Sequence, residues 1–258
     1  MPEGDTILLA ARVLGRALEG RTIVSVRSAL PSLSRGGLAG RRILRVEARG
    51  KNLLFHFDDG RALHSHMRMS GSWHLYRPAE RWRKPERFAR AVLVTDEFVA
   101  VCFHAPVVEL LSPRELARHP SLSRLGPDIL AARFDLAGAA AGLRSLAPLS
   151  IGEALLAQSA LAGVGNIYKS EALFAAKVSP FAPIAQLEDA RIERVLLAAR
   201  GLMSAGLSGQ GRVGATRGGR YRVYGRSSRP CFVCATGIRM RRQGEAGRST
   251  YWCPRCQT

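Results

Sequence analysis

Lysine is almost missing from this chain. Of 39 basic residues only four are Lys (Lys51, Lys84, Lys169 and Lys177), and the other 35 are Arg. A genome whose base composition favours Arg codons accounts for the bias, and it makes each retained Lys a place to ask what a compact point charge does that a planar fork does not. Acidic groups are scarce too, 20 against those 39, for a formal net charge of +19. No apolar run approaches the ~20 residues of a membrane span, which argues against a membrane partner. The opening Met1-Pro-Glu-Gly-Asp5 lacks a signal-peptide pattern, so the expected location is the cytoplasm. Cysteine, at five in 258 residues, is too sparse for a disulfide scaffold. What remains is globular composition, 47% hydrophobic and 23% charged, with length for one large domain or two ordinary ones. A domain-sized chain with such a positive surplus meets a polyanion, and nucleic acid is the leading candidate.

The hydrophobic pattern changes character along the chain. Residues 5 to 19 predict a helix, with Asp5 or Thr6 as cap, Ile7, Leu8, Ala11, Leu14 and Leu18 at helical spacing, and Gly20 as stop. Short strands follow at 22–27 and 42–47. Residues 53–57 and 62–66 read as one hairpin, and 88–95 with 98–103 as a second. An opening helix and many antiparallel strands suggest a β-sandwich or barrel. After Leu125-Gly-Pro-Asp128, which reads as a linker, helices are expected at 134–146, 151–158, 166–175 and 187–205. Glycines and arginines between Gly206 and Gly219 read as a mobile loop. The last 47 residues, 212 to 258, hold eleven Arg and one acid, Glu245, the densest positive footprint in the chain.

Four of the five cysteines fall in two knuckles, Cys231-Phe-Val-Cys234 and Cys253-Pro-Arg-Cys256, with eighteen residues between them. Four thiolates at this spacing suit one tetrahedral Zn²⁺. Four protein ligands leave no open position, so the zinc is expected to be structural; two disulfides are the competing reading. Cys102, in a strand pattern, reads as a buried core thiol. At the other end, Met1-Pro2 is a substrate for methionine removal, which frees a secondary amine at Pro2. An α-amino group has an ordinary pKa of about 7.7–8.0, so a neutral nucleophilic fraction exists near neutral pH. Its attack on an aldehyde-level carbon gives an iminium that is charged at any pH, a strong electron sink, with Glu3 alongside as acid or base. Many chains begin Met-Pro for no such reason.

Several segments together resemble one family. They are Pro2-Glu3-Gly4, Gly50-Lys51-Asn-Leu-Leu54, His66-Met-Arg-Met69-Ser-Gly71, Leu161-Ala-Gly-Val-Gly-Asn166-Ile-Tyr-Lys-Ser-Glu171, and Val223-Tyr-Gly-Arg226 leading into the four cysteines and Gln257. In this order, over essentially the whole chain, they resemble the bacterial formamidopyrimidine-DNA glycosylase / endonuclease VIII family. The resemblance implies an α+β multidomain protein: an N-terminal helix plus antiparallel β-sandwich over 1–123, a helix–two-turns–helix domain over 130–211, and a C-terminal four-cysteine zinc finger over 221–258. It also implies a monomeric base-excision-repair enzyme that binds damaged double-stranded DNA in the cleft between the two halves. Pro2 is then the nucleophile at C1′, Glu3 assists ring opening and proton transfer, and the strand is cut by β- and δ-elimination. Lys51 and Arg248 complete the catalytic set and, with His66 and Asn166, grip phosphates around a flipped nucleotide. Met69 is the apolar wedge in the gap left behind, or else a core methionine.

Two features separate the chain from the formamidopyrimidine branch. That branch carries Arg-Phe-Gly after the second hairpin, where this chain has His104-Ala-Pro-Val-Val-Glu109. The loop that covers oxidised purines there corresponds to 206–221, which is dissimilar here. Glu3-Gly4-Asp5 and Thr216-Arg217-Gly218 look more like the endonuclease VIII branch, so oxidised pyrimidines are the expected lesions. A non-catalytic damaged-DNA-binding protein on the same scaffold, and an RNA-binding zinc-ribbon protein, are the readings from other classes.

Overall fold

The computed structural model describes residues 2–207 and 221–258. The chain divides into two compact units, Met1–Ser123 and Arg124–Thr258. In the first, α1 (Gly4–Leu18) buries Ile7, Ala11, Leu14 and Leu18, one stripe at three- and four-residue spacing. The helix starts slightly earlier than Asp5 or Thr6 would set it. Glu3 takes the cap position and makes no side-chain capping bond. Gly20, at φ +82°, turns the chain out of the helix in the left-handed region.

Next come β1 (Ser25–Arg27), the single turn α2 (Pro31–Ser34), β2 (Ile43–Arg49), β3 (Asn52–Phe57), β4 (Ala62–His66), β5 (Ser72–Tyr76), β6 (Ala89–Val94), β7 (Val99–Phe103), β8 (Val107–Leu111) and α3 (Pro113–Arg118). They form two antiparallel four-stranded sheets, in the orders β1-β6-β7-β5 and β2-β3-β4-β8. Strand alternation sends Leu53, Phe55, Phe57 and Leu63 from one sheet and Ala91, Leu93, Ala100 and Cys102 from the other into one core, closed by the α1 stripe. Cys102 is fully buried, and burial pushes its thiol up to about 12, which leaves it inert. Both expected hairpins are present, as β3–β4 and β6–β7. Strands β5 and β8 were not foreseen. Each lies at one edge of its sheet, with β1 and β2 at the opposite edges, and pairs with a single neighbour, β8 with β4 and β5 with β7.

The second unit contains α4 (Leu136–Arg144), α5 (Ile151–Ala154), α6 (Asn166–Ala175), α7 (Asp189–Leu207) and the hairpin β9 (Arg239–Gln243) with β10 (Arg248–Trp252). Ile151, Leu155, Tyr168, Leu173, Ile192, Leu196 and Met203 share its helical core. The periodicity over 151–158 predicts a longer helix than α5. The chain leaves the helix because Gln158 builds the turns that follow: its Nε2 donates to the Leu156 and Val164 carbonyls at 3.1 Å, and its Oε1 accepts from the Gly163 N–H at 3.0 Å. Residues 125–128 are not a free linker. The Gly126 N–H donates to the Gln158 carbonyl at 3.0 Å, and Asp128 bridges to Ala162. A Cβ on Gly126 would lie 2.6 Å from the Ala160 backbone, so only glycine allows this approach. The loop expected over 206–219 falls, from residue 208 on, outside the described residues.

Candidate functional site

The four knuckle thiols converge in the second unit. Their sulfurs lie within 4.8 Å of one another, with Cys231–Cys256 at 3.9 Å and Cys234–Cys253 and Cys234–Cys256 at 3.4 Å. Zn–S bonds of about 2.3 Å in a tetrahedron place sulfurs about 3.8 Å apart, so the donor set and its spacing fit one zinc and leave no open position. All four are free thiols, which excludes the disulfide reading. Hydrogen bonds with Thr236 bring the Cys234 thiol down to about 6, close to the thiolate a metal needs. The centre is structural. Cys231 and Cys253 pack with Val223 and Ile238 onto Phe174 of α6.

Polar contacts complete the seating of this finger on α6. Glu171, almost fully buried, accepts the backbone N–H groups of Arg222 (2.8 Å), Val223 (2.9 Å) and Tyr224 (2.8 Å). Lys169, fully buried, donates from Nζ to Thr250 Oγ1 at 2.7 Å. Asn166, the first residue of α6, donates from Nδ2 to the Ser249 carbonyl at 2.7 Å, while its buried Oδ1 has no hydrogen-bond partner among the described residues. Asn166 therefore touches the residue after Arg248, which begins β10 with an exposed side chain. Exposed Arg239, Arg241 and Arg242 on β9 add to the positive face of the hairpin. The sequence assigned no role to Glu171 or Lys169. The available signals were the scarcity of Lys and a charged pair two residues apart within one short helix.

In the first unit, Pro2 immediately precedes Glu3, whose exposure is 0%. An ionisable side chain buried at a helix start, and not spent on capping it, is the kind of group that marks a functional site. Lys51 follows Gly50 (φ +57°) in the two-residue turn between β2 and β3, since Arg49 and Asn52 are register partners. Asn52 in turn pairs with His66 at the end of β4. Burial, with the Arg68 and Lys51 charges, pushes the His66 imidazole down to about 4, so it is neutral at physiological pH. Its Nδ1 accepts from the Arg68 N–H at 3.1 Å, which leaves the ring proton on Nε2, a donor. Met69 stands in the turn closed by the Gly71 N–H to the Met67 carbonyl (2.8 Å) and is 64% exposed, so it is not a core methionine. The segment His104–Glu109 forms a turn and then enters β8, with Val107 opposite His66.

Comparisons with known proteins cover the same ground. Residues 1–107 match the formamidopyrimidine-DNA glycosylase N-terminal domain, 125–216 its H2TH domain, and 230–258 the zinc finger found in FPG and IleRS. The chain is 41% identical over 261 residues to a probable endonuclease 8 2 of Streptomyces coelicolor, covering 100% of this chain and 94% of the relative. It is 36% identical over 261 residues to the DNA-(apurinic or apyrimidinic site) lyase Nei2 of Mycolicibacterium smegmatis, covering 100% and 99%. Among solved structures it is similar to Lactococcus lactis Fpg (MutM) in complex with DNA containing N7-benzyl-Fapy-dG. There the TM-score is 0.83 and the identity 25%, with 100% of both chains covered. The same Fpg bound non-covalently to DNA containing an AP site aligns with TM-score 0.83 and 25% identity over 99% of both chains.

Proposed function

The chain belongs to the formamidopyrimidine-DNA glycosylase / endonuclease VIII family of base-excision-repair glycosylases and abasic-site lyases, and we propose that it works through a Schiff base formed by Pro2. The observation that carries this reading is Glu3, a fully buried carboxyl group directly after Pro2 that leaves its own helix uncapped. Removal of Met1 places the secondary amine at the positive end of α1, next to that group.

The amine nitrogen attacks C1′ of an extruded nucleotide. The C1′–base bond breaks with its electron pair on the base, which takes up a proton. Glu3 takes the proton that the amine nitrogen gives up and passes it to the sugar ring oxygen as the ring opens, and C1′ becomes an iminium carbon. The iminium acidifies C2′–H; loss of that proton expels the 3′ phosphate, and a second elimination expels the 5′ phosphate. Hydrolysis of the iminium returns the amine.

C1′ is reached only when the nucleotide leaves the stack, at a cost of a few kcal/mol. Met69, exposed at the tip of its turn, fills the vacated space. Lys51 and Arg248 hold the phosphates as cations. Neutral His66 donates from Nε2. Asn166 bears on a phosphate chiefly by setting the strand that begins with Arg248. The substrate is damaged duplex DNA, bound by one copy of the chain. Oxidised pyrimidines are the favoured lesions, because the segment where the formamidopyrimidine branch has Arg-Phe-Gly is here a turn and an edge strand without an aromatic wedge.

Borohydride reduction during turnover of a thymine-glycol duplex tests the chemistry. A covalent adduct should map to Pro2 by peptide mass spectrometry, and Pro2→Gly should abolish it. No adduct, together with undiminished nicking by Pro2→Gly, returns the protein to the non-catalytic damaged-DNA-binding reading. Parallel excision from 8-oxoguanine duplex tests the pyrimidine preference.

A further inference from the structure

The first unit holds a second convergence of metal-ligating side chains, separate from the four thiols. His64 on β4, Glu109 on β8 and His119 at the end of α3 each bring one ligand atom to within 4.8 Å of the others. His64 Nδ1 is 3.2 Å and His119 Nε2 is 3.0 Å from the same oxygen, Glu109 Oε2. The fold makes this meeting obligatory. His64 and Glu109 are register partners across β4 and β8, and α3, capped by Ser112 and Glu115, ends at His119.

The outer nitrogens of both rings are already engaged. His64 Nε2 lies 2.9 Å from Asn52 Oδ1. The Asn52 amide cannot be turned round, because its Nδ2 donates to the Arg49 carbonyl at 3.1 Å. An amide oxygen only accepts, so His64 carries its proton on Nε2. In the neutral ring the Nδ1 lone pair then points at a carboxylate oxygen. His119 Nδ1 is 3.1 Å from Ser121 Oγ, a hydroxyl that either accepts from Nδ1–H, leaving Nε2 bare, or donates to Nδ1, leaving the proton on Nε2. A His64 lone pair aimed at an anionic oxygen at hydrogen-bond distance calls for a proton or a metal cation between them, and a metal ion satisfies both rings and the carboxylate at once. Histidines tied at the outer nitrogen by a hydrogen-bond acceptor, with the inner nitrogens converging on a carboxylate, are arranged as metal ligands are.

We propose that His64, Glu109 and His119 bind a divalent ion of the zinc class. Two imidazoles and one carboxylate suit Zn²⁺, Co²⁺ or Ni²⁺ over Mg²⁺ or Ca²⁺. Ligand atoms about 2.0–2.1 Å from a tetrahedral ion lie about 3.3 Å apart, close to the 3.2 and 3.0 Å that separate the two ring nitrogens from Glu109 Oε2. Three protein ligands leave one position for water. It would face the open cavity of about 580 Å³ that Glu109 and His119 line with Arg114 and Arg118. Those arginines oppose a cation, so the site is weaker and more exchangeable than the finger. Occupancy pins β4, β8 and the end of α3 to one atom and, through His64 and Asn52, stiffens the turn that carries Lys51.

The test uses full-length protein with its finger loaded with zinc. Calorimetric titration with Zn²⁺ should show one further equivalent per chain. Co²⁺ added to the same protein should give weak visible bands without thiolate charge transfer, the signature of nitrogen and oxygen ligands. Glu109→Gln and His119→Gln, at side chains 44% and 15% exposed, should each weaken binding tenfold or more. His104→Gln, outside the cluster, should leave it unchanged. A chain that takes up no second equivalent, or one whose second equivalent survives in the Glu109→Gln/His119→Gln double variant, overturns the site.

Discussion

Replacing Glu171 by Gln should loosen the finger without touching its zinc. In the wild type, Oε1 accepts from the Val223 and Tyr224 N–H groups and Oε2 from that of Arg222. Hydrogen bonds to a charged acceptor contribute about 1.5–3 kcal/mol each, against about 0.5–1.5 for a neutral one. The Gln carbonyl can keep the pair on Oε1, at a loss of about 1 kcal/mol per bond. Its NH₂ then faces the Arg222 N–H, setting two part-buried donors against each other at a further cost of about 1–3 kcal/mol. The sum is about 3–5 kcal/mol, held locally in the segment that joins the finger to α6. Native-state hydrogen exchange should report it as acceleration of about 10²–10⁴ at the amides of Arg222, Val223 and Tyr224, with zinc stoichiometry unchanged. Acceleration below about fivefold at those amides would show that the carboxylate is not what holds the segment, and the derivation from three short hydrogen bonds would fail.

Three other outcomes follow from the same geometry. Chelation should melt the Cys231–Cys256 segment, since a structural zinc supplies about 10–16 kcal/mol of folding free energy, while the sandwich keeps its own transition; full excision activity in metal-free protein would contradict this. Met69→Ala should leave stability within about 0.5 kcal/mol, because the side chain is 64% exposed, yet lower excision tenfold or more; unchanged excision would remove Met69 as the wedge. His66 should titrate near 4 in free protein by NMR, below its ordinary 6.5. Its charged form is disfavoured by the fold, so the unfolded chain binds more protons between those values. Its contribution to stability is complete above about 6.5 and is lost as the pH falls toward 4; His66→Gln should flatten the stability–pH curve over that window, and an unchanged slope would refute the assignment.

What could be read in advance was whatever a short stretch of chain specifies by itself. Helix α6 has the bounds its pattern predicts, and the two hairpins fall at their turn signals. The zinc centre is legible because each knuckle is a local loop and only the pairing of knuckles is long-range. The misses have the opposite character. Strands β5 and β8 each pair with a single neighbour at one edge of a sheet, β5 with β7 and β8 with β4, and have no turn signal of the hairpin kind beside them. Helix α5 is cut short by Gln158, seven positions beyond its start, reaching forward to Gly163 and Val164. Residues 125–128 look like a linker until the Gln158–Ala162 segment is placed against them. Glu171 is matched to three amides more than fifty residues away. His64, Glu109 and His119 meet only because β4 and β8 pair in a register that the sequence does not display.

The scarcity of lysine takes on a physical side once partners are visible. Arginines in this chain repeatedly bridge two or more acceptors. Arg21 spans Asp96 and Glu97, Arg200 spans the Ile129 and Ala131 carbonyls, and Arg144 joins Asp189 to the Ile184 and Leu187 carbonyls. A planar fork with five donors suits such sites. Lys84 and Lys169 instead end on a hydroxyl, Ser72 Oγ at 2.8 Å and Thr250 Oγ1 at 2.7 Å, and Lys169 does so with no exposed surface. A guanidinium in that buried volume would bring five N–H donors where an ammonium brings three, and each one left without an acceptor costs about 1–3 kcal/mol. The buried surroundings of Thr250 Oγ1 thus suit Lys over Arg at position 169. Lys177, at φ +56° just past α6, has no such account in the structure. Lys51 is held at the tip of a tight turn between two strands, where an ammonium can meet one phosphate oxygen as a point charge. The same division of labour makes it the cation suited to the step proposed for it.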